Sequence, residues 1–261
     1  MIGRGLLWFS VVVILLFLFV PVAIILLYAF SDSNIQGWPI GVYSVKWFIA
    51  TWHDGEVRAA LWLSIEVAVV ATIIATVFGT LAALAVQRMR GYGNEIVSFA
   101  AVLPIALPGI LTGMALNSYF VLWGIGLSFW TIVIGHATFC TVIVYNNVVA
   151  RLRRLPPSWV EASMDLGAGP WRSFRLVTLP MIASALGAGA LLAFALSFDE
   201  VIVTTFTAGA QTTLPLWIFG AIRLGQHLPE VNCVVFAVIA LTIVPVLIAQ
   251  RLMGSAATLH K

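Results

Sequence analysis

The chain has 261 residues, 62% of them hydrophobic and only 9% charged, with a net charge of +3 and a mean hydropathy of +1.07. Soluble domains carry about 25% charged residues, so this composition excludes a water-soluble fold and makes the bilayer the solvent. There is no long basic run to bind nucleic acid, and Cys140 and Cys233 make neither a metal-ligand spacing nor a disulfide framework. Ten Trp and five Tyr suit the headgroup level on either side of a membrane.

Six apolar stretches are long enough to cross a hydrocarbon core of roughly 30 Å. They lie near residues 6–30, 61–86, 97–121, 127–150, 182–206 and 231–253 of one membrane domain spanning 1–261. The first is expected to be a retained helix, because Leu6 to Phe30 is longer than the about 7–15 apolar residues of a secretory signal. Pro21, the pair Pro104 and Pro108, and Pro245 fall inside the first, third and sixth spans. Each frees a carbonyl that a neighbouring helix must satisfy, and a bend is expected over 103–109. Gly109 and Gly113 stand four apart, the spacing at which two helices approach closely.

With both termini in the cytoplasm, ten Arg and Lys residues lie inside and three (Lys46, Arg58 and Arg223) outside, a clear positive-inside asymmetry. Segments 31–60 and 207–230 are then external, and 151–181 is the large internal segment. Within it Pro156-Pro157 stops the fourth span, and Ser158 with Glu161 has the spacing of a capping box. Gly167 suits the left-handed end of that helix, Gly169-Pro170 opens a second short helix through Trp171 to Leu176, and Leu179-Pro180 leads into the fifth span. Trp159, Ala162, Ser163 and Leu166 share one face. A small half-apolar knob of this kind suits a groove on another protein.

Glu161-Ala162-Ser163, three residues, Gly167, nine residues, Val177, Thr178 and Leu179-Pro180 resemble the EAA loop of ABC importer permeases. Ser163 stands for the second Ala of that pattern and Val177 for its Ile. The run Phe194 to Gly209 looks like the fifth span of the spermidine/putrescine-type permeases. Gly135 to Cys140, Thr213 to Trp217 and Pro229 to Asn232 are similar to other parts of the same group, in its second, shorter permease. The resemblance implies an all-α type I ABC importer permease fold in a bacterial inner membrane. It implies that Glu161, Ala162, Ser163, Asp165, Leu166, Gly167, Ala168 and Pro180 couple to an ATPase. Implied partners are a second, different permease, two copies of a cytoplasmic ATPase that binds ATP and Mg, and an external substrate-binding protein. No phosphate-binding Gly-x-x-x-x-Gly-Lys-Ser/Thr loop occurs in the chain itself, so the motor is separate and no cofactor is expected here.

Asp199 and Glu200 lie inside the fifth span, where an acid costs at least about 2.5–3.5 kcal/mol at the membrane centre. A cationic solute would compensate it; a purely structural pair of acids is the other reading. Adjacent helical residues point about 100° apart, so one carboxylate is expected on the pathway and the other against a neighbour, with Asp199 slightly favoured for the pathway. Phe198, Glu66, His136 and Trp217 complete the candidate pathway. Snorkelling for Glu66, an interhelical hydrogen bond for His136 and interfacial anchoring for Trp217 are the plainer alternatives. The expected function is import of a small cationic solute, a polyamine such as putrescine or spermidine, by alternating access. The same importer acting on γ-aminobutyrate or an opine-like compound is the alternative, with a stand-alone secondary transporter or channel behind it. Catalysis on the substrate is not expected, since the chain lacks His-Glu-x-x-His and Gly-x-Ser-x-Gly.

Overall fold

The computed structural model describes residues 2–89, 107–156 and 158–242. Among them the helices run α1 (Ile2–Tyr28), α2 (Lys46–His53), α3 (Gly55–Arg88), α4 (Gly109–Leu122), α5 (Phe129–Leu152), α6 (Ser158–Asp165), α7 (Pro170–Ser173), α8 (Leu179–Phe198), α9 (Ile202–Thr207), α10 (Leu214–Leu224) and α11 (Leu228–Thr242). Two compact units partition the chain, residues 1–58 with 218–261, and residues 59–217.

In the first unit, α1 passes through Pro21 without a break and exposes its apolar side chains from Leu6 to Val20, as a helix solvated by lipid does. Phe30, Phe48 and Phe236 meet edge-on or tilted with centroids 5.1, 5.2 and 5.4 Å apart, gathering α2 and α11 around the end of α1. The Cys233 thiol donates to the Ala29 carbonyl at 3.3 Å. An exposed Lys46–Asp32 ion pair at 2.7 Å adds at most about 1 kcal/mol.

The second unit is built on a seam of small residues. Ala71, Ala75, Gly79 and Ala83 recur every four positions on α3, and all are buried. They let α5 approach until a Cβ placed on Gly79 would stand 2.7 Å from the Thr141 carbonyl oxygen and 2.9 Å from the Val144 Cβ. Lipid supplies no hydrophobic drive between helices, so such close packing holds the pair together. Helix α8 also packs on α5: Gly189 lies against Val144, and the Cys140 thiol donates to the Ala193 carbonyl at 3.3 Å.

Four described helices are long and apolar enough to cross a membrane: Arg4–Tyr28, Gly55–Gln87, Phe129–Leu152 and Pro170–Phe198. They overlap the stretches expected as the first, second, fourth and fifth spans. Only Gly109–Leu122 and Leu228–Thr242 represent the third and sixth, and Pro104, Pro245 and the start of the 103–109 bend lie outside the described residues. The second span starts at Gly55, six residues ahead of expectation. Its cap is Asp54, whose carboxylate accepts from the Glu56 N–H at 2.8 Å and the Val57 N–H at 3.4 Å.

The fifth span differs most from the single helix expected over 182–206. It begins at Pro170, passes through a π-helical turn at Phe174–Thr178 and runs to Phe198. The Leu179 N–H reaches back five residues to the Phe174 carbonyl. That wider turn absorbs Pro180, which has no N–H to give and whose ring would collide with the carbonyl four residues earlier. The helix then breaks at 199–201 and resumes as α9. Val201 to Thr205 are all β-branched and poor at propagating a helix, while Glu200 offers its own carboxylate to the backbone.

Candidate functional site

The break in the fifth span gathers most of the candidate pathway residues. Glu200 turns its Oε1 onto the Val203 N–H at 2.9 Å, satisfying a donor at the start of α9. The 100° fan expected for two adjacent helical acids therefore does not apply. One acid is spent on the backbone. Asp199, which ends α8 with φ −93° and ψ 2°, is exposed, and its carboxylate has no partner among the described residues. Phe198 is half-buried and stacks on Phe194 with centroids 6.2 Å apart and planes 22° from parallel.

His136 of α5 is 1% exposed and bridges the break. Its Nδ1 lies 2.8 Å from the Ser197 Oγ, before the break, and its Nε2 lies 2.8 Å from the Thr204 Oγ1, after it. The Thr204 hydroxyl donates to the Glu200 carbonyl at 2.7 Å, which uses its only proton. Nε2 must then donate to Thr204, and in a neutral ring Nδ1 accepts from Ser197. Of the two sequence readings of His136, the interhelical hydrogen bond is the one the geometry contains; with both nitrogens engaged and no exposure, the ring does not line an open path.

Other side chains clamp α9. Asn117 of α4 donates to the Phe206 carbonyl at 2.7 Å, and the Thr131 hydroxyl of α5 lies 2.7 Å from the Thr207 carbonyl. Gly109 and Gly113 of α4 face Ile202 and Phe206, and Gly135 of α5 faces Val203. The two glycines four apart thus receive α9, the second half of the fifth span. Glu66 is exposed on α3 and Trp217 half-buried on α10. The described contacts bring neither to Asp199.

The second candidate region is the knob. Helix α6 starts at Ser158 itself, which makes Ser158 its first residue rather than its cap; Pro157 lies outside the described residues. Its end is as expected from Gly167. That residue has φ +84°, the Gly167 N–H donates to the Met164 carbonyl at 2.8 Å, and the Ala168 N–H donates to the Ser163 carbonyl at 3.0 Å. These are the two bonds of a Schellman motif. Glu161, Ala162, Asp165 and Pro180 are exposed, as are Trp159 and Trp171, and Leu166 is 90% exposed. Ser163 instead turns inward. Its hydroxyl donates to the Val160 carbonyl at 2.7 Å and lies 2.6 Å from the Ser173 Oγ, so the Ser173 proton is the one shared between them. The knob is thereby tied to the foot of the long helix, above a cavity of about 240 Å³ lined by Leu84, Leu152, Val160, Glu161 and Phe174.

Residues 75–256, which contain both regions, match the family model described as binding-protein-dependent transport system inner membrane component. The chain belongs to this family. The permease is 34% identical over 252 residues to the putrescine transport system permease protein PotI of Escherichia coli (strain K12), covering 92% of this chain and 88% of that one. It is 32% identical over 255 residues to the spermidine/putrescine transport system permease protein PotC of the same organism, covering 96% and 94%. Among solved structures, a bacterial ABC transporter involved in import of the acidic polysaccharide alginate has the same fold, with a TM-score of 0.69, 18% identity, and coverage of 97% and 96%. The permease is thus an ABC importer permease subunit of type I fold, and family members of this kind are non-catalytic transport subunits working with other permease, ATPase and binding-protein components.

The sequence reading missed three features: the Asp54 cap, the α3 seam and the break. Asp54-Gly-Glu, the four-residue recurrence of Ala and Gly, and the β-branched run after Glu200 were the signals that carried them.

Proposed function

We propose that this permease carries a small cationic solute, a polyamine such as putrescine or spermidine, inward through the inner membrane. Asp199 carries this reading: it is an exposed carboxylate at a helix break, unpartnered among the described residues. An acid placed inside a span is expensive unless a cation or a polar path meets it. The polyamines named for its relatives PotI and PotC supply that cation. Both termini then lie in the cytoplasm, an orientation the positive-inside asymmetry supports. The α6 knob then faces inward, where Glu161, Ala162, Asp165, Leu166, Gly167 and Ala168 seat in a groove of the ATPase. Two copies of that ATPase bind ATP and Mg and hydrolyse the nucleotide. A second, different permease completes the pathway, and an external binding protein delivers the solute. The permease itself alternates between outward and inward openings and makes no covalent change to the cargo.

The test is ATP-driven uptake by the full complex in proteoliposomes. Putrescine and spermidine are expected to accumulate in the lumen that receives solute from the binding protein. Asp199→Asn should lower uptake by on the order of tenfold to a hundredfold, the loss of a charged contact of about 1.5–3 kcal/mol, with the complex still assembled. Accumulation of γ-aminobutyrate in place of either polyamine would overturn the cationic reading, as would wild-type polyamine uptake by the Asn variant.

A further inference from the structure

The long helix Pro170–Phe198 starts at the knob and ends at Asp199. Beyond the break, α9 is held by α4 and α5 through Asn117, Thr131 and three glycines. Both halves of the span pack on α5, and α9 is held by α4 as well; they meet at residues 199–201, where Asp199 and Glu200 occupy the junction. The backbone there is not held by helical hydrogen bonding alone. The side-chain network crossing it runs from Ser197 through His136 to Thr204 and on to the Glu200 carbonyl.

We propose that His136 is a positioning residue of the transport pathway: by bonding Ser197 and Thr204 at once, it fixes the angle of the broken fifth span and so the direction in which Asp199 points. The inference rests on the importer reading for its functional consequence and on the geometry alone for its structural one. Burial closes off direct solute contact, since the ring is sealed between α5, α8 and α9 and both nitrogens are occupied. The ring lies 61 positions from Ser197 and 68 from Thr204, so it ties three separate parts of the chain. Its proton count is also complete: one donor, one acceptor, and a Thr204 hydroxyl that passes its proton to the Glu200 carbonyl. A glutamine amide also presents a donor group and an acceptor oxygen at its tip, whereas leucine offers neither.

The experiment compares His136→Leu and His136→Gln in the assembled complex, with two readouts. Hydrogen–deuterium exchange of amides 202–205 reads the break directly and needs no solute. ATP-driven putrescine uptake, as a function of putrescine concentration at saturating binding protein, reads the pathway. In the Leu variant exchange should quicken by roughly tenfold, the scale of two lost interhelical hydrogen bonds, and maximal uptake should fall by a similar factor while ATP hydrolysis persists. Gln should recover most of both. Ser197→Ala and Thr204→Val each remove one arm and should give intermediate effects, which keeps the test open if the Leu variant does not assemble. Unchanged exchange in all variants overturns the proposal, and so does equal damage by Leu and Gln, because that marks a shape requirement instead of a hydrogen-bonded one. If the wild-type complex moves no putrescine, the importer reading of the cargo fails, and the exchange measurement still decides whether His136 holds the break.

Discussion

Gly79 shows how far a single residue determines the fold. A methyl group there would meet the Thr141 carbonyl oxygen at 2.7 Å and the Val144 Cβ at 2.9 Å, both on or next to backbone that cannot rotate away. Gly113 faces a Cβ contact of the same 2.7 Å, but with the Phe206 ring, which can turn aside. Gly187, on α8, has nothing within 4 Å. Overpacking a tight interface costs about 1–3 kcal/mol, so Gly79→Ala should lower the thermal midpoint of the purified complex, Gly113→Ala less, and Gly187→Ala not at all. Equal midpoints for the Gly79 and Gly187 variants would show that α3 and α5 are not in the contact described. The residue scale was only partly legible in the sequence. A histidine in an apolar run announces a buried hydrogen bond, but its partners at 197 and 204 become neighbours only after the chain has folded back twice. Asp199 and Glu200 were visible as costly charges, and their division of labour was not, because it depends on a break that hydropathy does not register.

At the scale of elements, the long apolar stretches of the pattern fall on helices, since about twenty apolar residues have few other uses in a chain of this composition. Hydropathy is blind to helix interruption. Val201 to Thr205 are as apolar or small as their neighbours, and only their branching at Cβ and the carboxylate at Glu200 distinguish a broken span from a continuous one. Glycine punctuation was more legible: Gly167 was read as a left-handed helix end, and its φ of +84° requires one. Proline there would fix φ near −65° and remove the N–H that donates to the Met164 carbonyl. Gly167→Pro should therefore redirect the chain between α6 and α7 while leaving the spans inserted. The expected outcome is a complex that still hydrolyses ATP but accumulates less than about a tenth of the wild-type polyamine, given a backbone penalty of roughly 3 kcal/mol at the knob proposed to couple the two. Normal uptake would detach the knob from the coupling step.

For the whole molecule, the sequence asymmetry of ten basic residues against three predicts which face of the membrane the knob occupies. Leu166 offers a direct way to check it. Its side chain is 90% exposed at the tip of the knob, and the two native thiols, Cys140 and Cys233, are buried and hydrogen-bonded to carbonyls. A Leu166→Cys variant therefore carries one accessible thiol. In inverted inner-membrane vesicles, whose outer surface is the cytoplasmic face, a membrane-impermeant maleimide should label it readily, whereas right-side-out vesicles should stay unlabelled. Adding the ATPase should protect the thiol if the knob seats in a groove, because a leucine side chain buried in a partner gains about 1.5–3 kcal/mol only by excluding water from its surface. Labelling from the opposite face would reverse the topology and with it the direction of transport. Labelling from the expected face that the ATPase leaves untouched would keep the topology and move the docking surface away from α6. The paired outcome matters because charge counting predicts the first result and the shape of the Ser158–Ala168 turn predicts the second, two independent physical arguments meeting on one residue.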